Sequence, residues 1–387
     1  MSPLPPFATA APLALLAKAG SGAQAPVDAA RALIWPDAMR QAAFTQWLAA
    51  QTATHSLVPQ SVRPASADAS FRRYFRLDTT VGGSCIIMDA PPALENCQPF
   101  VQVAALMQAA GLRVPQVLSW DEAKGFMLLS DLGPRTLLES IDPAQPQAAH
   151  AHYLQAVDAL IAWQKASRPG VLPPYDAALL RRELELFPAW YLARHCQLTP
   201  DAPLLKPLDA LFESLIAENL AAPHVYVHRD FMPRNLMLPE PGDAACGLGV
   251  LDFQDAVHGP ITYDIASLLR DAFVSWEEDF VLDITVRYWQ QARQAGLFQG
   301  HTFGDDFGAF YRSVEWMGLQ RHLKVLGIFA RLTLRDGKPK YLADAPRFSA
   351  YVRNTCARYR ELTPLLRLLD QAEGRAAPVG YAFGKMS

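Results

Sequence analysis

Hydrophobic and polar positions show no period over the first 38 residues. That stretch is rich in Ala, Pro and Gly, and Met1 to Ala17 is broken by Pro3, Pro5, Pro6 and Pro12. It is expected to be a disordered leader (1–38), too short and Pro-interrupted to span a membrane and lacking the positive start of a signal peptide. Met39 opens the patterned region and is a candidate start codon. Ala43, Phe44, Trp47 and Leu48 recur at helical spacing, which predicts a helix over Arg40–Gln51. Ser61–Pro64 can be a strand, followed by a turn through Ala65–Ser70. Phe71, Arg73, Phe75 and Leu77 then alternate with Arg72, Tyr74 and Arg76, the period of a strand. Gly82-Gly83 turns the chain into a third strand, Cys85–Met88. Gln98–Ala110 reads as a helix stopped by Gly111, and Gln116–Trp120 with Gly125–Leu129 as a hairpin. Ser130-Asp131-Leu132-Gly133-Pro134 breaks the pattern as a hinge would.

Long helical periods follow, over 150–167, 177–192, 204–219, 276–295, 302–332 and 346–369. The expected fold is therefore α/β (α+β) and two-lobed. Residues 39–132 form a small strand-rich N-lobe, and 133–387 a larger helical C-lobe. No internal repeat is present.

Chemistry concentrates in the C-terminal half. His228-Arg229-Asp230-Phe231-Met232-Pro233-Arg234-Asn235 places a carboxylate and an amide five positions apart. Seventeen residues after Asn235, an apolar run (Leu248–Leu251) ends in Asp252-Phe253-Gln254, as a short buried strand delivering a carboxylate would. A third element, Asp264-Ile265-Ala266, opens a helical apolar pattern. These segments fit H-R-D-x-x-x-x-N and D-F-G in order and spacing.

In these motifs the chain resembles the aminoglycoside-phosphotransferase-like branch of the kinase fold. The wording of His228–Met237, Leu251–Tyr263 and Ala69–Arg76 resembles one member group, the bacterial anomeric amino-sugar kinases of cell-wall recycling. These phosphorylate N-acetylmuramate and N-acetylglucosamine at the C1 hydroxyl. The resemblance implies an ATP- and Mg²⁺-dependent phosphotransferase. Asp230 would be the catalytic carboxylate, and Asn235 and Asp252 the metal ligands. His228 and Asp264 would support the catalytic loop. Ser70, Arg73 and the hinge at Asp131 would meet the nucleotide.

The resemblance has gaps. The third strand, Cys85-Ile86-Ile87-Met88-Asp89, carries no Lys, and the helix after it carries no Glu. Both halves of the usual ion pair are missing. Arg72, Arg73 and Arg76 are the available replacements, and Arg73 is expected to lean toward the nucleotide because it shares a face with Phe71 and Phe75. Gln254 stands where D-F-G has Gly, which argues against a flipping activation segment and a protein substrate.

Composition narrows the acceptor. Net charge is −3, which argues against a polyanion-binding protein. The five scattered cysteines contain no C-x-x-C pair, which argues for a reduced cytoplasmic setting and against a zinc site. Between Arg312 and Lys340 basic residues outnumber Glu315 and Asp336. That surplus suits an anionic sugar better than a polycationic aminoglycoside or choline. Arg234, Trp316, His322 and Lys324 are candidate substrate contacts. An aminoglycoside or amino-alcohol kinase and a non-catalytic kinase-like binder remain open. The expected partners are an amino sugar and ATP, met by a monomer, with no nucleic acid or membrane.

Overall fold

The computed structural model describes residues 35–67, 71–198, 202–240 and 247–375. Most of the expected leader, and Ser70, lie outside them. The chain forms two compact units. One takes in the chain up to Thr136 together with Asn235–Asp255. The other takes in Leu137–Arg234 and everything from Ala256 onward. The division is thus not a single hinge crossing, because a loop of the C-terminal half belongs to the first unit.

The first unit is built on helix α1 (Ala38–Thr52), strands β1 (Arg63–Ala67), β2 (Arg73–Asp78) and β3 (Ser84–Asp89), helix α2 (Gln98–Ala109), and strands β4 (Val117–Asp121) and β5 (Phe126–Ser130). The strands form one antiparallel sheet in the order β1-β2-β3-β5-β4. Strand alternation puts Phe75, Leu77, Cys85, Ile87, Phe126 and Leu128 on one face. Phe44, Trp47 and Leu48 of α1 cover that face. Asp37 caps α1, its Oδ1 accepting from Arg40 N at 2.7 Å. Trp35 lies within the stretch expected to be leader. It packs 4.7 Å from Phe44 and 5.8 Å from Phe75, ring centre to ring centre, so the ordered core starts before Met39. Gly125 closes the β4–β5 hairpin at φ +68°, where a Cβ would also strike the Ala90 carbonyl.

The second unit begins with α3 (Pro146–Lys165) and α4 (Ala177–Leu184). The periodicity predicts one helix over 177–192. Instead α4 ends at Leu184, and Phe187–His195 follows as a π-helical segment. Pro188 has no N–H for the Leu184 carbonyl, so the ladder re-registers there. Helix α5 (Ala202–Ala221) and strand β6 (His224–Val227) come next. The chain then enters the first unit, where β7 (Leu236–Met237) pairs with β8 (Gly249–Val250). It returns as β9 (Val257–Pro260), antiparallel to β6, followed by α6 (Thr262–Leu269) and α7 (Glu278–Gln294). Helix α8 (Phe307–Leu334) is buried along most of its length. It begins later than the pattern predicts because a separate turn at Thr302–Gly304 precedes its cap, Asp306. The helix expected over 346–369 is two helices, α9 (Ala345–Arg358) and α10 (Thr363–Ala372). Pro364 cannot donate to the preceding turn and restarts the ladder. No helix among the described residues is long and apolar enough to cross a membrane.

Close packing of α8 rests on one glycine. A Cβ at Gly327 would overlap the backbone carbonyl of Leu186. Ala is favoured over Gly in a helix by about 1 kcal/mol. The overlap is with backbone, so it should outweigh that gain, and Gly327→Ala should lose about 1–3 kcal/mol. Thermal unfolding of the variant checks this; a raised Tm would contradict the packing argument.

Candidate active site

In the helical unit the segment after β6 carries Asp230. Strand β6 delivers it, and α6 anchors it. Asp264, in the first turn of α6, is fully buried. Its Oδ2 accepts from His228 N at 2.7 Å and its Oδ1 from Arg229 N at 3.0 Å. His228 is buried too, and its Nδ1 accepts from Asp230 N at 3.2 Å. Arg229 sits at φ +76°, a left-handed conformation that costs a non-glycine residue free energy. Burial raises the Asp264 carboxyl to about 7, against the pull of the two N–H donors and nearby Arg321.

The Arg229 side chain ends on a second buried carboxylate, one that no local motif marks. Glu183 of α4 accepts from Arg229 Nη2 at 2.6 Å, from Lys324 Nζ at 2.9 Å, from Gln320 Nε2 at 3.2 Å and from the Tyr175 hydroxyl. Lys324 also donates to the Tyr263 hydroxyl at 3.1 Å. Burial works against the Glu183 charge. Lys324 and Arg229 outweigh it and hold the carboxyl at about 2.

The expected substrate contacts are placed unequally. His322 is 0% and Trp316 3% exposed. His322 stacks on Tyr351 at 4.9 Å, and burial beside Arg270 and Arg321 drives its pKa well down, so it is neutral. Both side chains are helix-core residues, because α8 is enclosed on nearly all sides. Lys324 is spent on Glu183. Arg312 pairs with Glu218 and Glu361, and Arg335 with Asp336. Two of the cations counted along 312–340, Arg312 and Lys324, are thus met by carboxylates from elsewhere in the chain, and Arg335 meets Asp336 within the segment. Arg234 differs: its guanidinium lies over the Phe273 ring at 5.2 Å, and its Nη1 is buried without a hydrogen-bond partner.

In the sheet unit, Asn235 and Asp252 come together. Leu251 N donates to the Asn235 carbonyl at 2.9 Å, which ties the two segments at the backbone. Asn235 Nδ2 lies 3.3 Å from Asp252 Oδ2, and Gln254 Nε2 donates to Asp252 Oδ1 at 2.9 Å. Asp252 is at φ +65°, strained like Arg229. A carboxylate beside an amide whose oxygen can turn inward is a hard-oxygen donor set, and it fits Mg²⁺. Among the described residues no three His, Cys, Asp or Glu side chains converge on a metal position. Mg²⁺ held by one or two protein groups and phosphate oxygens needs no such cage.

Arg72 and the two arginines of β2 are all engaged. Arg76 forks onto Asp131, with Nε–Oδ2 2.5 Å and Nη2–Oδ1 3.0 Å. Ser84 and Gly133 N also donate to Asp131. Burial opposes the Asp131 charge, but these donors hold its carboxyl below the ordinary range. Arg72 pairs with Glu95. Arg73 pairs with Asp89, which also takes Arg40, and lies over the Trp35 ring at 4.5 Å. Arg73 does share a face with Phe75, but that is the face covered by α1. Its side chain serves the α1–sheet contact there.

The buried Glu183 generates a sign-definite expectation. Its pKa of about 2 is below the ordinary 4.5, so its stabilisation is complete above pH 4.5 and is lost as pH falls toward 2. Glu183→Gln should remove that acid limb and strand two buried cations, at a cost of about 3–5 kcal/mol at pH 7. Urea unfolding across pH checks both; a variant as stable as its parent at pH 7 would exclude the charge role.

Residues 61–298 match the phosphotransferase enzyme family. The chain is 51% identical over 313 residues to the N-acetylmuramate/N-acetylglucosamine kinase of Pseudomonas aeruginosa, covering 80% of this chain and 88% of that one. It is 48% identical over 321 residues to the protein of the same name from Neisseria meningitidis, covering 82% and 93%. Among solved structures, an ethanolamine kinase of Plasmodium vivax superposes with a TM-score of 0.57 at 11% identity, covering 87% of this chain and 93% of that one, a likeness of fold. The motif order and these matches lead to one conclusion: the chain belongs to the phosphotransferase enzyme family and is a kinase with the protein-kinase-like fold.

Proposed function

We propose that this kinase transfers the γ-phosphoryl group of ATP to the anomeric C1 hydroxyl of N-acetylmuramate and N-acetylglucosamine, in the recycling of cell-wall sugars. The observation that carries the substrate is the 48–51% identity, over most of both chains, to kinases named for those two sugars. Support for catalysis comes from the retention of Asp230, Asn235 and Asp252. ATP as donor assigns the reaction to the cytoplasm.

In this reading the C1 oxygen forms a bond to the γ-phosphorus as the bond to the β–γ bridging oxygen breaks, and ADP leaves with the negative charge. Asp230 orients the hydroxyl and accepts its proton late. An anomeric hydroxyl is more acidic than an ordinary alcohol, so a carboxylate suffices. Asn235 and Asp252 would hold Mg²⁺, which neutralises charge on the phosphates. His228 and Asp264 keep the loop backbone in place. Ser70, which lies outside the described residues, and the hinge backbone at Asp131 are assigned to the nucleotide.

The deciding experiment supplies ATP with N-acetylmuramate, N-acetylglucosamine, kanamycin or choline, follows ADP release, and locates the new phosphate by NMR. C1-phosphorylated amino sugars are expected. ADP release only with kanamycin or choline would overturn the substrate reading. Asp230→Asn should lower kcat about 10²–10⁴-fold with the ATP KM nearly unchanged. Asp252→Ala should instead raise the KM for Mg-ATP. Near-normal turnover of Asp230→Asn would remove Asp230 from the proton-accepting role.

A further inference from the structure

Several buried or half-buried arginines of the helical unit are matched to carboxylates. Arg229 meets Glu183, Arg270 meets Glu278 and Glu315, Arg353 meets Asp370 and Glu373, and Arg358 meets Glu278 and Glu315. Arg234 is not among them. Among the described residues no carboxylate pairs with it, and its Nη1 is buried with no acceptor. A guanidinium stays charged at any working pH, so this one keeps a full charge and an unspent donor. What holds it is the face of Phe273, 5.2 Å away. Stacking on a ring leaves the in-plane N–H groups free to fork onto an anion.

The ring is itself fixed. Buried Asp271 accepts from Phe273 N and Val274 N, both at 2.8 Å through Oδ1, which pins the turn after α6. Carboxylates nearby are engaged by backbone donors, Asp264 by His228 N and Arg229 N and Asp271 by Phe273 N and Val274 N. Arg321 is 3% exposed, lies over Tyr263 at 5.4 Å and pairs with no carboxylate among the described residues. Asp271 is the carboxylate that both Arg321 and Arg347 feel. Its Oδ1 is committed to the backbone.

Position along the chain adds the functional link. Arg234 follows Asp230 by four residues and directly precedes Asn235. Four residues reach at most about 14 Å, so the guanidinium is tied to the reacting end of an acceptor. The two sugars proposed above differ in one charged group. N-acetylmuramate carries a lactyl ether ending in a carboxylate, and N-acetylglucosamine has a hydroxyl there. We propose that Arg234, stacked on Phe273, is the specificity-determining residue that takes the lactyl carboxylate. This inference rests on the amino-sugar reading.

The test measures kcat/KM of the full chain for each sugar, with ATP saturating and then varied. The readout is the ratio for N-acetylmuramate over N-acetylglucosamine. Arg234→Gln should lower that ratio about tenfold, because one charge-assisted, two-pronged contact is lost. Arg234→Lys should recover part of it, since a point charge replaces the fork. Phe273→Leu should lower it less, by loosening the guanidinium. An unchanged ratio, with both sugars affected equally or neither affected, would overturn the proposal. So would a raised ATP KM with an unchanged ratio, which would give Arg234 to the nucleotide phosphates. If the parent enzyme phosphorylated neither sugar, the amino-sugar reading would itself fall, and that is seen before any variant is compared.

Discussion

Two successive backbone N–H groups, those of His228 and Arg229, end on one buried carboxylate, and the geometry of the segment that carries Asp230 depends on it. A loop that must present Asp230 cannot satisfy its own backbone with regular secondary structure. Asp264 replaces that missing ladder with hydrogen bonds of 2.7 and 3.0 Å. The price is a carboxyl so buried that its pKa rises to about 7. The gain is a loop held in a conformation, φ +76° at Arg229, that it would not otherwise keep. Glu183 adds a second restraint by taking the Arg229 guanidinium, and Lys324 of α8 shares it. Strand β6 and helices α4, α6 and α8 thus converge on one short segment. Each contributes either direction or a charge.

The two strained non-glycine positions in the motifs, Arg229 and Asp252, have a common logic. Each lies next to, or is, a residue that must point away from the path its chain would prefer. Asp252 leaves a short strand and turns its carboxylate to Asn235 and Gln254. Strain of this kind persists only where surrounding contacts over-determine it. In the sheet unit the over-determination comes from the Leu251–Asn235 backbone bond; in the helical unit it comes from Asp264 and Glu183.

Charge matching identifies the structural cations. Arg73 and Arg40 share Asp89, Arg76 forks onto Asp131, and Arg72 pairs with Glu95. These pairs lock strands β2 and β3 to α1, to the segment after β5 and to the turn before α2. Arg312, Lys324 and Arg335 are likewise consumed. A free guanidinium is informative against that background, since burial of an unmatched charge is costly unless something answers it.

Sequence alone determined the strands of the small unit from β2 to β5, the order of the three motifs and the family, while β1 runs on to Ala67 where a turn is expected. The reason is that these are local: alternation at Phe75 and Leu77, the spacing of Asp230 to Asn235, and an apolar run ending at Asp252 are all written within a few residues. It also placed most helices, missing chiefly where a proline re-registers a ladder that hydrophobic spacing alone continues, as at Pro188 and Pro364. What only the tertiary structure decided is which charges find each other. Glu183 lies 46 residues from Arg229 in the chain, and Asp131 lies 55 from Arg76. A count of basic residues along 312–340 cannot see Glu183, Glu218 or Glu361 arriving from other elements. Nor can a face assignment for Arg73 tell which side of the sheet α1 covers. Electrostatic pairing is a property of distance in space, and the chain's local pattern carries no record of it.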